Sequence, residues 1–131
     1  MNHPPNKIYW TTISSIEDFN KILEDSKTKP ALLFKYDSVD HQSNEIKRHL
    51  DEEWNIDHDL VKPYLIDRKS NKQLVYAINK EAGVIGDIPQ VILFADGVTM
   101  YDESGDLINV RKINIALKIL RRTFKWMENR Y

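Results

Sequence analysis

Apolar positions change period several times along the chain, and each change marks an element. Residues 8–13 (IYWTTI) are β-branched and aromatic, the composition of a strand. Ser14 stands three residues before Glu17, the spacing of a capping box. Ile16, Phe19 and Leu23 then recur at helical intervals to about Ser26. Pro30 cannot continue that helix. Residues 31–36 (ALLFKY) form a short, mostly apolar run suited to a strand covered on both faces. Ile46, Leu50 and Trp54 recur every four residues and predict a second amphipathic helix. Residues 61–67 (VKPYLID) read as a third strand, with Pro63 at its start or where no partner needs a donor.

Ser70 is positioned to cap a third helix bearing Leu74, Ala77 and Ile78, and Gly83 to end it in a left-handed conformation. Residues 91–94 (VILF) are another buried-type strand. Asp96-Gly97 signals a hairpin, because both central positions of a type I′ turn need positive φ, and residues 98–101 form the return strand. A last helix runs from about Arg111 to Glu128, with an apolar stripe of Ile113, Leu117, Leu120, Phe124 and Met127. The order β-α-β-α-β-α-β-β-α predicts parallel crossovers closed by an antiparallel hairpin. That is an α/β sheet with helices on both faces.

The length of 131 residues fits a single domain over residues 1–131, with residues 1–7 a frayed, disordered start. A chain of this size buries a core without staples. The net charge of −1 provides no global field for nucleic acid. The basic residues of the last helix read as a solvated face that suits a helix C-terminus. No apolar run approaches the roughly 20 residues that cross a bilayer, and the polar start lacks the apolar core of a secretory signal. The expectation is a cytoplasmic protein with no nucleic-acid or membrane partner. Trp10 and Trp54 suit core anchors, and Trp126 and Tyr131 suit docking on the domain or a dimer contact. Gly83, Gly86, Gly97 and Gly105 are dispersed, so there is no phosphate loop and no cofactor motif. The absence of cysteine excludes disulfides, thiolate metal sites, iron–sulfur clusters and thiol catalysis.

The element order, with Ile88-Pro89 just before the fourth strand, resembles the thioredoxin fold. The resemblance implies a mixed five-stranded sheet flanked by helices on both faces, and a cis bond at that proline. Residues 29–35 (KPALLFK), the loop ending in Ser43, Gly83-Val84, residues 89–93 (PQVIL), Asp96-Gly97 and the closing helix are similar to the monothiol bacilliredoxins. These are small thioredoxin-like bacterial proteins tied to bacillithiol. In that family a cysteine in the loop after Phe-Lys reduces bacillithiol mixed disulfides. Counting without gaps from Phe34-Lys35 places Asp40 at the cysteine position and His41 at the proline that follows it. A carboxylate cannot replace sulfur in attack on a disulfide. The resemblance therefore implies the scaffold without the redox step.

Asp40 at a helix start has two readings. It is a favoured N-cap, worth ~1 kcal/mol over alanine, or a fixed charge that imitates a thiolate in the same helix field. The resemblance implies a ligand face made of Asp37, Ser38, Asp40, His41, Ser43, Ile88 and Pro89. Main chain beside the proline can pair with an extended peptide, and a low-molecular-weight thiol is the other candidate; neither contact needs a cysteine. Three alternatives stand beside this one. Asp37, Asp40 and His41 could ligate a divalent metal, while Asp57-His58-Asp59 lie at the far end of a helix roughly 15 Å long. Asp40 and His41 could serve a hydrolase with Ser38 or Ser43, although neighbours at a helix start do not converge on one atom. The chain could also be a structural or stress-associated protein with no ligand here. The expectation is a binding or stress-associated module with no catalytic residue, metal or cofactor.

Overall fold

The computed structural model describes residues 7–124. The elements are β1 (Thr11–Thr12), α1 (Ile16–Asp25), β2 (Ala31–Tyr36), α2 (His41–Glu53), β3 (Lys62–Asp67), α3 (Lys72–Ala82), β4 (Gln90–Ala95), β5 (Val98–Ser104) and α4 (Val110–Thr123). Single 3₁₀ turns occupy Arg68–Ser70 and Gly105–Leu107. The continuation of the last helix to Glu128, and the expectations for Met127, Trp126, Tyr131 and residues 1–6, lie outside the described residues. Lys7, expected in the frayed start, is exposed in a bend.

The sheet order is β1-β3-β2-β4-β5. β1, β3 and β2 run parallel, whereas β4 is antiparallel to β2 and to β5. The expectation of parallel crossovers throughout is corrected at β4. Tyr36 pairs with Asp67 at the carboxyl end of β2 and β3, and Lys35 pairs with Gln90 at the start of β4. The chain thus leaves β3 and begins β4 at the same end of the sheet, because residues 83–89 carry it back after α3.

Alternation along the strands builds two cores. Leu32, Phe34, Leu65, Val91 and Leu93 face Ile46 and Leu50 of α2 and Ile113 and Leu117 of α4. Leu33, Ile66, Ile92 and Phe94 face Phe19 and Ile22 of α1 and Val75 and Ile78 of α3. The central strands are covered on both sides, as their unbroken apolar runs require.

Several boundaries shift for local reasons. β1 is two residues, not six. Lys62 donates its amide to Pro30, so alternation turns the Pro63 nitrogen toward β1, where it has no proton to offer. Pairing with β1 therefore begins only at Tyr64. Ser15, not Ser14, caps α1: its hydroxyl accepts from the Asp18 amide at 3.1 Å, while Asp18 accepts from the Ser14 amide at 3.0 Å. The arrangement is a variant of the capping box, one residue past the expected pair, in which Asp18 reaches the amide before the cap residue. Ser70 ends the 3₁₀ turn, and Asn71 is the N-cap residue of α3, without a side-chain cap bond. Gly83 ends α3 at φ +69°, and Asp96 and Gly97 both have positive φ in the β4–β5 turn. The Asp96 and Gly97 amides also bond Ser26, which ties that turn to the end of α1.

Candidate functional site

Four segments close the carboxyl end of β2 and β3: residues 37–43, 67–69, 85–89 and 105–107. Hydrogen bonds join them. The Ser38 amide donates to Asp67 Oδ1 at 3.0 Å, and Arg68 Nε donates to Asp37 Oδ2 at 3.1 Å. Gln42 Nε2 donates to Asp106 Oδ1 at 3.1 Å, and the Gly105 amide donates to Pro89 O at 3.0 Å.

Within the loop before α2 each expected residue has a definite place. Asp37 is buried and accepts from the Val39 amide as well as from Arg68. Ser43 is buried; its hydroxyl accepts from the Asp37 amide at 3.2 Å and its own amide donates to Asp40 Oδ2 at 2.9 Å. Ser38 contributes main chain, since its carbonyl accepts from Asn44 Nδ2. Asp40 is the N-cap of the thirteen-residue α2. The bond from the Ser43 amide, with smaller help from Arg68 and His41, holds its carboxyl below the usual aspartate range. The cap is therefore ionised at neutral pH, and its charge sits at the positive end of the helix. His41 is exposed as the first residue of α2.

The Ile88–Pro89 bond is cis, as the resemblance implied. Pro89 is buried and Ile88 is half-buried. Neither the amide nor the carbonyl of Ile88 has a hydrogen-bond partner among the described residues. That leaves one free main-chain donor and acceptor just ahead of β4.

Five further contributors, Lys35, Gln42, Asp67, Arg68 and Asp106, were not expected from the sequence. Asp67 and Arg68 follow directly from β3, and the carboxyl ends of strands in open α/β sheets are where ligands collect. Burial works against the Asp67 charge, but bonds from Ser38 and the Lys69 amide outweigh it and keep the carboxyl low. Asp106 joins the site through Gln42, and its neighbour Gly105 through Pro89. Lys35 is fully buried in β2, on the face with α3, and donates to Asn79 Oδ1. Burial lowers its pKa to about 8, Asp87 and Asp102 oppose that shift, and Arg68 adds to it. A lysine inside an otherwise apolar strand was the available signal, since lysine is almost never fully buried without a reason.

Among the described residues, the acidic and histidine groups close enough to share a metal ion are Asp57, His58 and Asp59, all exposed, with ligand atoms within 4.8 Å. They follow the end of α2, away from its capped start. Exposed carboxylates at such spacing are common without an ion, and no site is assigned there.

A five-stranded mixed sheet with helices on both faces, a loop running into a central helix, and a cis-proline just before the fourth strand define a thioredoxin-like domain, in which a carboxylate, Asp40, caps that helix. Solved structures agree on the fold. A proposed oxidoreductase with a thioredoxin fold is similar at TM-score 0.67 and 21% identity, over 81% of this chain and 91% of that chain. Malassezia sympodialis thioredoxin (Mala s 13) is similar at TM-score 0.67 and 18% identity, over 90% and 96%. Trypanosoma brucei brucei thioredoxin is similar at TM-score 0.65 and 17% identity, over 93% and 97%. The family model described as monothiol bacilliredoxin BrxC matches residues 11–113, so the chain belongs to the monothiol bacilliredoxin family. No curated protein sequence matches it. Because the chain has no cysteine, it is a member without thiol–disulfide chemistry.

Proposed function

We propose that this chain is a non-catalytic binding module that uses the sheet end formed by Asp37, Ser38, Asp40, His41, Ser43, Ile88 and Pro89. The ligand is an extended peptide or a low-molecular-weight thiol. The observation that carries the reading is the free main chain of Ile88, linked through Pro89, Gly105, Asp106 and Gln42 to the capped start of α2. An extended segment can add main-chain hydrogen bonds there without any side-chain chemistry. Asp40 Oδ2 accepts from the Ser43 amide and the Ser43 hydroxyl accepts from the Asp37 amide, so these groups shape the loop. A cytoplasmic setting and a stress-associated role belong to the same reading and are supported by the family alone. Among the described residues no helix is long and apolar enough to cross a membrane.

The test is titration of the ¹⁵N-labelled protein with bacillithiol and with a capped, valine- and threonine-rich heptapeptide. Amide shift changes should cluster at residues 37–43 and 85–90. If both ligands leave those amides unmoved, the sheet end is not a binding face.

A further inference from the structure

The four segments at this sheet end carry five carboxylates, Asp37, Asp40, Asp67, Asp87 and Asp106, against two cations, Arg68 and Lys69, in a chain whose net charge is −1. Arg68 is engaged with the buried Asp37, Lys69 lies near Asp67 and Lys35 lies near Asp87, so Asp40, Asp106 and the exposed Asp87 carry most of the outer charge. Apolar side chains stand out on two of the same segments, Val39 at 69% exposed and Leu107 at 58%, and Ile85, 79% exposed, lies three residues ahead of Ile88. The face is thus apolar in patches and negative between them. Resting on the binding reading above, we infer that it selects an extended peptide carrying apolar side chains and at least one arginine or lysine, and rejects dicarboxylate thiols.

Electrostatic complementarity selects among the extended segments that the free main chain of Ile88 could pair with. Bacillithiol and glutathione each carry two carboxylates, and like charge at close range opposes them. A basic side chain beside the paired strand reaches Asp87, which is exposed one residue before Ile88, or Asp106, which is exposed beside Leu107. A second copy of this chain is a poor occupant, because a two-fold contact would set the same carboxylates against each other.

Three pools of capped heptapeptides test this, identical in their valine and threonine positions and carrying arginine, glutamine or glutamate at two sites. Affinity is read from amide shifts at residues 37–43 and 85–90, at low salt and in 0.5 M sodium chloride. The arginine pool should bind about three- to tenfold more tightly than the glutamate pool, the yield of one or two exposed ion pairs. High salt should erase most of that ratio, and so should Asp87→Asn combined with Asp106→Asn. Equal binding of arginine and glutamate pools at the same amides would overturn the charge selection and leave the binding reading intact. Tighter binding of glutathione or bacillithiol than of the arginine pool would overturn it as well. No shift with any pool or thiol would remove both.

Discussion

Asp40 and Lys35 are the residues on which the physical account turns. Asp40 accepts one strong amide bond at a helix start. Asp40→Ala should lower stability by ~1 kcal/mol, the usual cost of a lost cap, whereas Asp40→Asn should stay within a few tenths. Chemical denaturation of the two variants checks this. If Asp40→Asn keeps the fold yet loses peptide binding, the charge matters beyond the cap. Lys35 makes a second prediction. Its folded pKa is about 8 against an ordinary 10.5. Between those values the unfolded chain holds a proton that the folded chain has released, so stability rises with pH from about 8 upward. Below 8 both states are charged and the contribution is flat. The urea midpoint should therefore rise from pH 7 to 9.5, by up to about 2 kcal/mol equivalent, and this rise should be missing in Lys35→Met. Burial raises Tyr36 and Tyr101 from 10, the latter to about 12, so their opposite effect begins above this window. An identical pH profile in Lys35→Met would mean that the lysine titrates normally.

At the level of elements, the apolar period was enough to place every helix and strand, while the ends depended on hydrogen bonds that spacing does not encode. Ser14 and Ser15 show the difference. Both precede an acidic residue by three, and only the backbone decides which hydroxyl meets an amide. Ser15→Ala should cost ~1 kcal/mol and Ser14→Ala close to nothing, read as a difference in thermal midpoint. Equal losses would restore the Ser14 cap. Asn71 in place of Ser70 is the same lesson, because the intervening 3₁₀ turn moves the start of α3 by one residue. The direction of β4 was not legible from alternating elements. It depends on how far residues 83–89 travel after Gly83. Gly83 itself was legible: its φ is +69° and a Cβ there meets nothing within 4 Å. Gly83→Ala should then cost roughly 1–2 kcal/mol from backbone conformation alone, and Gly83→Asn less.

For the whole molecule, the chain has kept the thioredoxin-like sheet and both of its cores while losing the sulfur chemistry. The loop and the proline turn could be found along the sequence because each is local. Asp67, Arg68 and Asp106 could not, because they reach the site through the pairing of β2 with β3 and of β4 with β5. The charge asymmetry of one sheet end has the same origin, since four separate segments supply it. The central claim is that Asp40 occupies the position where a helix N-terminus would activate a thiol. The most direct measurement is the thiol pKa of Asp40→Cys, followed by thiolate absorbance against pH. The account predicts a value at least about one unit below the ordinary 8.5, as helix N-termini produce. A value at or above 8.5 would contradict it, because the position would then lack the field that makes it a nucleophile's place.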